Sequence, residues 1–314
     1  MQIRDLKLEN NLILAPMAGV GDIAFRILCR KYGAGLVCSE FLSAESISRF
    51  NKNAIEKTNA DKRERPVSIQ IFGNKIETIS RAAKFLEDKV DIIDFNMGCP
   101  ADKITRIACG AALLKNPEKI AEIVKTLKKS VSIPITIKIR LGIDEKSINA
   151  VKIAKIAEQN GADMIAVHGR TMKQGYSGNA NWDLIKEVKE NVSIPVAANG
   201  DIIDGESASR CLNQTKCDFL MIGRAAMKNP FVFTEINHYL KTGEKLKQTE
   251  KQRFEIINEY LKLAEEFKIS FTRSITHINS LTRGLYDSTS FREELNKRKS
   301  FVEINELLQS YCAC

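Results

Sequence analysis

Short apolar runs alternate with longer amphipathic stretches along the first 230 residues of the chain. The apolar runs are rich in β-branched residues and have the length of buried strands. The stretches between them repeat apolar residues at helical spacing. We therefore predict eight strands and six helices in alternation. The predicted strands are 12–17, 36–39, 67–71, 92–96, 135–139, 164–168, 196–199 and 219–222, and the predicted helices are 22–32, 75–88, 117–129, 146–160, 182–191 and 205–212.

Strands that alternate with helices form βα units, which build parallel sheets. Eight such units in about 230 residues fit a closed (β/α)8 barrel, the TIM barrel, better than an open sheet. Near residue 241 the alternation stops, and residues 249–268 and 291–311 have the pattern of charged amphipathic helices. We therefore predict a barrel domain over residues 1–240 and a small all-helical domain over residues 241–314, with a lysine-rich linker at 241–247.

The chain has 314 residues and a net charge of +9, with 44% hydrophobic and 28% charged residues. This composition is that of a globular protein and excludes wholesale disorder. No apolar run approaches the ~18 residues of a membrane span, and Asp5 and Glu9 interrupt the N-terminus, so we predict a cytoplasmic protein without a membrane anchor. The positive charge favours a polyanionic partner, most commonly nucleic acid, and solvated lysine-rich faces are the alternative.

Eight cysteines and three histidines raise the question of a metal site. No two cysteines form a C-x-x-C pair, and no two histidines have zinc-ligand spacing, so we expect no metal. In a cytoplasmic chain the thiols are reduced, and most act as small buried apolar residues. A cysteine with a chemical role must therefore be recognised from its local sequence.

Polar residues follow most of the predicted strands, at the end where (β/α)8 barrels hold their functional groups. One such residue would mean little. Six strand ends with hydrogen-bond donors or acids are hard to explain by stability, because lone buried charges are costly. We therefore expect a binding site at this end of the barrel. The six segments with such groups are Gln70 with 72–73, 96–100, 138–140, 168–171, 199–201 and 223–224, and the first strand ends in the apolar segment 15–20.

The last two strand ends form a unit of glycines, amides and one guanidinium. Asn199-Gly200-Asp201 follows the seventh strand, and Gly223-Arg224 follows the eighth. In many barrels these two loops bind phosphate, since glycine allows close approach of the backbone and arginine grips the anion. We expect a phosphate-bearing ligand here. The alternative is that both glycines only form tight turns.

Lys138, His168 and Cys99 each admit more than one role. A lysine in the barrel interior needs an anionic partner, so Lys138 can form a Schiff base, clamp a cofactor or pair internally. His168 can bind a ligand, act in acid–base chemistry or serve as a hydrogen-bonded structural residue. Cys99 lies in a Gly-Cys-Pro loop beside Lys138 and Arg140, where a thiol over the barrel mouth can have a tuned pKa. Cys38 has no such loop and is predicted to be a packing residue.

The ordered set of strand-end motifs resembles the tRNA-dihydrouridine synthases. The match covers residues 12–235, and the stretch 223–231 is similar to the B-type bacterial branch. The helical tail with His277 resembles the RNA-binding domain of that family. The motifs are Ala15-Pro-Met-Ala, Gln70-Ile-Phe-Gly, Asn96-Met-Gly-Cys-Pro-Ala, Gly110-Ala-Ala-Leu-Leu, Lys138-Ile-Arg-Leu-Gly, His168-Gly-Arg-Thr, Gln174-Gly-Tyr-Ser-Gly, Asn199-Gly-Asp-Ile and Gly223-Arg-Ala.

The resemblance implies an FMN enzyme that reduces the C5–C6 bond of selected uridines in tRNA. NADPH, or NADH in its place, reduces the flavin, whose N5 delivers hydride to C6. Cys99 is then the catalytic acid that protonates C5. The implied FMN contacts are Pro16, Met17 and Ala18 at the isoalloxazine, Gln70 at its pyrimidine edge, Lys138 and His168 at its electron-rich edge, and Asn199, Gly200, Asp201, Gly223 and Arg224 around the phosphate.

The resemblance also implies how the tRNA is bound. The implied contacts to the uridine or the surrounding RNA are Asn96, Arg140, Arg170 and Tyr176. The target base must be flipped out of the folded tRNA, at a cost of roughly a few kcal/mol. The basic surface and the helical tail offset this cost through phosphate contacts. The B-type similarity indicates position 17 of the D-loop, with positions 20 and 20a as alternatives.

The sequence departs from the family pattern at two places. Met172 stands where a second arginine is common, so a tRNA phosphate contact is lost or moves to Lys173. His277 is followed by Asn279-Ser280-Leu281, where an aromatic pair is common. The second departure affects the choice of uridine most, because that choice depends on how the helical tail orients the tRNA.

Two other functions fit part of the pattern. An FMN barrel that acts on free pyrimidines, such as a dihydroorotate or dihydropyrimidine dehydrogenase, would share the phosphate site and the lysine but needs no basic helical tail. A non-catalytic tRNA-binding protein would show gaps at the flavin positions, and the sequence shows none. We expect a monomer, because the assigned elements leave no large apolar stripe uncovered.

Overall fold

A parallel β-barrel forms the larger part of the molecule. The computed structural model describes residues 1–285 and 288–312, so Cys314, one of the eight cysteines, lies outside the described residues. The strands in the described part are β1 Gln2–Ile3, β2 Leu6–Lys7, β3 Leu12–Leu14, β4 Leu36–Cys38, β5 Leu42–Ser43, β6 Val67–Phe72, β7 Ile92–Met97, β8 Ile135–Arg140, β9 Met164–His168, β10 Val196–Asn199 and β11 Phe219–Ile222.

The barrel closes through pairing between its second and third strands along the chain. Strands pair in the order β4, β3, β11, β10, β9, β8, β7, β6, and a further pairing of β4 with β6 completes the ring. Each of these pairs is parallel, as the βα connections require. The short strand β5 extends β6 at the rim. The predicted (β/α)8 barrel is thus confirmed for the described residues.

Helices cover the outside of the barrel and form the tail. Side-chain caps start several of them: Asp22 accepts a hydrogen bond from the Phe25 amide at α1, and Asn116 caps α6. The α-helices in the described residues are α1 Ile23–Lys31, α2 Ala44–Ser48, α3 Lys52–Glu56, α4 Ile76–Leu86, α5 Asp102–Thr105, α6 Pro117–Ser130, α7 Ala150–Gln159, α8 Trp182–Glu190, α9 Gly205–Thr215, α10 Arg224–Lys228, α11 Val232–Thr242, α12 Glu250–Glu266, α13 Phe271–Leu281, α14 Ser288–Leu295 and α15 Phe301–Cys312.

Alternate residues of the strands divide the core into two layers. On β3, Leu12 and Leu14 pack against the surrounding helices, whereas Ile13 points into the barrel. Ile3 and Leu8, from the hairpin β1–β2, join the same interior cluster as Ile13. The hairpin therefore closes the amino-terminal end of the barrel, and the carboxyl-terminal end is left for the site.

The eight predicted strands are all present, and the predicted helices are present with shifted ends. The helix predicted over 146–160 was wrong at its start, because α7 begins only at Ala150. Residues Glu145–Ser147 form a 3₁₀ turn, and Ile148 pairs with Gly142 in an isolated bridge that holds this stretch out of the helix. The hairpin β1–β2 and the strand β5 were not predicted.

The tail consists of α12, α13, α14 and α15 in the described residues, where the sequence predicted two helices. The predicted boundary after residue 240 falls inside the last turn of α11, which ends before Gly243 in the left-handed conformation. The division into two domains stays a prediction. Among the described residues, none of the helices combines the length and the apolar character needed to cross a membrane.

Candidate active site

A cavity of about 1050 Å³ opens at the carboxyl ends of the barrel strands. This is the end at which (β/α)8 barrels carry their active sites. Fourteen of the sixteen site residues predicted from the sequence line the cavity. They are Pro16, Met17, Ala18, Asn96, Cys99, Lys138, Arg140, His168, Tyr176, Asn199, Gly200, Asp201, Gly223 and Arg224.

The Cys99 loop is held in place on several sides. The Asn96 side-chain oxygen accepts hydrogen bonds from the amides of Gly98, at 3.2 Å, and Cys99, at 2.9 Å. The Arg140 guanidinium donates to the Gly98 carbonyl at 2.9 Å, and the Ala111 amide donates to the Cys99 carbonyl at 3.0 Å. The loop therefore has a defined conformation, with a half-buried thiol at the cavity wall.

Cys99 is half-buried, whereas the five other cysteines whose side chains the structure describes are buried. Burial raises the pKa of the Cys38 thiol far above its usual range, and burial raises the pKa of Cys109 to about 11. Both thiols stay protonated and shielded at neutral pH. The buried cysteines are Cys29, Cys38, Cys109, Cys211 and Cys217.

Lys138 extends from β8 into the cavity wall. Its ammonium donates to the Asn199 side-chain oxygen at 2.9 Å, and the Asn199 amide donates to the Met221 carbonyl at 2.7 Å, which orients the Asn199 side chain. Burial, followed by repulsion from the Arg140 guanidinium, lowers the pKa of Lys138 to about 8. The ammonium is thus held without a paired carboxylate in hydrogen-bond contact, which favours an anionic or electron-rich ligand.

His168 lies at the end of β9, where β9 faces the cavity. Burial lowers its pKa to about 2, with added repulsion from the cations Lys138, Arg140, Arg170 and Arg224. His168 is therefore neutral at physiological pH. A neutral imidazole can donate one hydrogen bond and accept another, but it cannot act as a cation.

Asp201 organises the loop after β10. Its carboxylate accepts from Arg224 at 2.9 Å and from Arg170 at 2.8 Å. Its backbone has a φ of +57°, and Gly200 beside it has a φ of +118°. A Cβ atom at Gly200 would lie 2.7 Å from the Ala180 Cβ, so only glycine fits this close turn.

Gly223 plays a different steric role from Gly200. A Cβ atom at Gly223 would lie 3.5 Å from both the Ala15 Cβ and the Met17 sulfur, which is ordinary contact. Its missing side chain therefore leaves free space beside Met17 in the cavity wall, where a ligand can approach the backbone. The Arg224 side chain is half exposed and reaches the same side of the cavity. This combination fits the predicted phosphate site.

The two remaining predicted residues lie behind the cavity wall. Gln70 is fully buried beneath the floor, where its amide donates to Asp94 at 2.6 Å and its oxygen accepts from Asn96 at 2.7 Å. Arg170 is also buried, and it donates to the carbonyls of Ser177 and Gly178 as well as to Asp201. Arg170 thus supports the loop that carries Tyr176.

Tyr176 stands over the cavity mouth with 63% of its surface exposed. The Arg224 guanidinium lies 5.1 Å from the centre of its ring, and the Arg140 guanidinium lies 5.9 Å away. The His168 ring is 6.2 Å distant on the barrel side. An exposed ring flanked by two guanidinium groups is suited to stack on a nucleobase next to phosphate.

The positions that depart from the family pattern are also placed. Met172 is half-buried and packs against the core, and Lys173 pairs with Asp144 at 2.7 Å. In the tail, the Asn279 side chain donates to Asn296 and Leu281 is buried, so both have internal roles.

The structure adds residues in and beneath the cavity wall that the sequence did not indicate. Asp94 and Thr136 lie under the floor, and burial raises the pKa of Asp94 against the opposing hydrogen bonds from Thr136 and Gln70. No local signal marks them, since a polar residue inside a strand gives no sign of its partner on the neighbouring strand. Further residues of the cavity wall are Phe41, Lys103, Ile203, Lys228, Val232 and Glu235. Within the described residues, no cluster of three or more His, Cys, Asp or Glu side chains could hold a metal ion.

A (β/α)8 barrel with a thiol, a lysine and two arginines at the open end of its strands belongs among the barrel enzymes. Comparison with known proteins identifies which. The sequence matches the model of the family described as "Dihydrouridine synthase (Dus)" over residues 13–313. The chain belongs to the dihydrouridine synthase family, and the family and enzyme class predicted from the sequence are confirmed.

Named relatives agree with this assignment. The chain is 42% identical to "tRNA-dihydrouridine synthase B" of Shewanella oneidensis over 322 residues, covering 99% of this chain and 98% of that protein. It is 46% identical to the protein of the same name from Pseudomonas putida, over 78% of this chain and 73% of the relative. A "Probable tRNA-dihydrouridine synthase" of Rickettsia conorii is 37% identical over 99% of this chain and 96% of the relative. The B-type names are in line with the predicted branch.

Solved structures agree with the barrel fold. A morphinone reductase variant in complex with tetrahydroNAD is similar with a TM-score of 0.58 at 12% identity, over 80% of this chain and 92% of that chain. A 2-naphthoyl-CoA reductase has a TM-score of 0.61 at 12% identity, over 76% of this chain and 51% of that chain. At these identities the likeness concerns the fold alone.

Proposed function

We propose that the protein reduces the C5–C6 bond of uridines in the D-loop of tRNA, with FMN as its bound cofactor and NADPH as reductant. The observation that carries the proposal is the Cys99 thiol at the wall of a cavity that also holds Lys138, Arg140 and Arg224. A thiol among cations suits proton donation beside an anionic, phosphate-bearing ligand and an RNA. The relatives at 42% and 46% identity carry the name of this activity.

The residues present fit FMN. The open face of Gly223 and the half-exposed Arg224 would hold its phosphate, and Lys138 would face the electron-rich edge of the ring system. Gln70 keeps one amide hydrogen and one oxygen lone pair after its two internal bonds, but it is fully buried and does not line the cavity, so it is left out of the proposed FMN contacts. When bound, FMN takes electrons from NADPH and supplies the hydride that adds to C6 of the uracil.

The chain itself supplies the proton and the environment. The Cys99 Sγ–H gives its proton to C5, and the sulfur is left as a thiolate near Lys138 and Arg140, whose charges stabilise it. His168 stays neutral and donates a hydrogen bond rather than a proton. Lys138, with a pKa of about 8, is charged at neutral pH and stabilises negative charge on the reduced ring system.

Binding of the target base uses the cavity mouth. The exposed Tyr176 ring and the guanidinium groups of Arg140 and Arg224 would receive a base flipped from the folded tRNA. Flipping costs roughly a few kcal/mol, which phosphate contacts to the basic protein offset. We further propose position 17 as the target, NADPH rather than NADH as reductant, a monomer and a cytoplasmic location.

The proposal is tested by separating the two halves of the reaction in Cys99→Ala. We expect flavin content and reduction by NADPH within twofold of the wild type, because the alanine removes no cofactor contact. Reoxidation of the reduced flavin by tRNA should be at least ~100-fold slower, the range for loss of a general acid. Anaerobic stopped-flow absorbance of the flavin measures both rates.

Cys217→Ala, at a buried cysteine outside the cavity wall, is the matched control and should behave as wild type. Near-normal reoxidation in Cys99→Ala would remove Cys99 as the acid. Reoxidation of the wild type by free pyrimidines but not by tRNA would assign the chain's chemistry to a different substrate.

A further inference from the structure

Four buried polar side chains form a chain of hydrogen bonds from the barrel interior to the Cys99 loop. Thr136 donates to the first carboxylate oxygen of Asp94 at 2.5 Å, and the Gln70 amide donates to the second at 2.6 Å. The Asn96 amide donates to the Gln70 oxygen at 2.7 Å, and the Asn96 oxygen accepts from the Cys99 amide at 2.9 Å. Each of these side chains is at least nine-tenths buried.

The Asp94 carboxylate determines the direction of the hydrogen bonds between itself and the Cys99 amide. A carboxamide has an oxygen on one side and a donor on the other, so turning it by half a turn reverses what it presents. Because the Asp94 oxygen accepts, Gln70 must turn its NH2 group toward Asp94 and its oxygen toward Asn96. Asn96 must then turn its NH2 group toward Gln70, which leaves its oxygen for the Cys99 amide.

The reversed arrangement would be costly at the loop. With Asn96 turned over, its NH2 group would face the backbone N–H of Cys99, so that two donors meet in a buried place. The loop would lose the acceptor that defines its turn. The direction also survives protonation of Asp94, since a proton on the oxygen beside Thr136 can be accepted by the threonine hydroxyl while the other oxygen still accepts from Gln70.

We infer that Asp94 is a positioning residue for Cys99: it sets the orientation of Gln70 and Asn96, and through them the conformation of the loop that carries the acid. The kinetic consequence of this role rests on the proposed function. The hydrogen-bond chain is independent of that function. Asp94 does not line the cavity, so it can act on the reaction through the two amides or through its charge near Lys138. Asp94→Asn separates these routes, because it removes the charge and keeps an acceptor for Gln70.

Three substitutions distinguish this role from ordinary packing. Asp94→Leu has a similar size and removes the acceptor, so both amides are free to turn. Asp94→Asn can still present an oxygen to Gln70 while its NH2 group donates to the Thr136 hydroxyl. Thr136→Val is the matched control, because it perturbs the same carboxylate and leaves the bond to Gln70 intact.

The kinetic readout compares the two half-reactions. In Asp94→Leu we expect tRNA-dependent flavin reoxidation about tenfold slower, as for loss of one buried hydrogen bond in the reacting arrangement, with NADPH reduction within twofold of the wild type. Asp94→Asn and Thr136→Val should stay within about threefold in both. Wild-type reoxidation in Asp94→Leu, or equal slowing in Asp94→Asn and Asp94→Leu, would overturn the inference.

A double variant covers the case in which Asp94→Leu does not fold. In Asp94→Asn/Thr136→Val the amide at position 94 has no acceptor at position 136, so nothing fixes which of its two sides faces Gln70. Each single variant still presents an oxygen to Gln70. If the two substitutions acted independently, their effects on the rate of flavin reoxidation would multiply. We expect reoxidation in the double variant to be about tenfold slower than that product. A simple product would contradict the inference.

A second readout needs no tRNA. With ¹⁵N-cysteine labelling, the Cys99 amide signal, assigned by its absence in Cys99→Ala, should exchange with solvent at least ~10-fold faster in Asp94→Leu than in Asp94→Asn or Thr136→Val. Unchanged exchange would overturn the positioning role. If the exchange changes as expected while wild-type flavin is not reoxidised by tRNA, the proposed function fails and the hydrogen-bond chain stands.

Discussion

Single residues at the cavity have roles set by their surroundings more than by their type. Lys138 and His168 are both cationic residues in principle, yet burial and neighbouring cations keep His168 neutral, with a pKa of about 2, while Lys138 keeps its charge up to a pKa of about 8. The sequence left several roles open for each. The structure favours a charge-stabilising lysine and a hydrogen-bonding histidine.

Replacing the lysine by an uncharged residue of similar length tests this division. In Lys138→Met we expect the midpoint potential of the bound flavin to fall by roughly 30–60 mV at pH 7, because a nearby positive charge stabilises the reduced anion. Below its pKa of about 8 Lys138 is charged, and above it the charge is lost. A bound anion raises that pKa. The difference in midpoint potential between Lys138→Met and the wild type should therefore shrink at or above pH 8.

Spectroelectrochemical titration from pH 6 to pH 10 measures this difference. Lys103→Met, which removes the same charge from an exposed position on the cavity wall, serves as the control and should shift the potential by only a few millivolts. Equal potentials in Lys138→Met and the wild type at pH 7 would show that the ammonium does not face the ring system.

At the scale of elements, the tail is fastened to the barrel at the start of α1. Asp22 caps α1, and its second carboxylate oxygen lies 3.1 Å from both His277 and Arg273 of α13 and 3.3 Å from the Tyr260 hydroxyl of α12. Arg273 also pairs with Glu40 at the rim of the barrel. Because the loop before Asp22 carries residues of the cavity wall, the tail and the cavity share one anchor.

Loss of this anchor should cost stability. For Asp22→Ala we expect a decrease of about 3 kcal/mol in the free energy of unfolding, since the change removes a helix cap and an acceptor of the Arg273 guanidinium and the buried Tyr260 hydroxyl. Urea unfolding followed by circular dichroism measures it. Glu259→Gln, which breaks the exposed Lys31–Glu259 pair between the same elements, is the control and should cost less than ~1 kcal/mol. Similar losses in the two variants would mean that Asp22 is no anchor.

Elements with strong periodicity could be predicted from the sequence, and those made by tertiary contacts could not. The strands 164–168, 196–199 and 219–222 match the structure at both ends. The helix α13 was missed because its serines, threonines and β-branched residues have low helix propensity, and the burial of Ser274, His277 and Leu281 stabilises it instead. The rule that barrel sites lie at the ends of strands located the cavity lining. The same rule missed Asp94, because Asp94 lies inside β7 and not at its end.

On the scale of the whole molecule, the net charge of +9 is divided unequally between the barrel and the helical tail. Residues from 241 onward carry 13 basic and 11 acidic side chains, so most of the excess charge lies on the barrel. This distribution predicts that the barrel itself contributes most of the salt-dependent attraction for tRNA. We propose that the tail, which is anchored at Asp22, orients the bound RNA.

The most direct test of the function is nucleoside mass spectrometry of tRNA incubated with the purified protein, FMN and NADPH. The expected result is dihydrouridine at D-loop position 17, in tRNA taken from cells that lack the modification, with none formed by Cys99→Ala. Dihydrouridine at position 20 or 20a would keep the reaction and change only the target. Unreduced tRNA after the flavin has been shown to accept electrons from NADPH would contradict the proposed function.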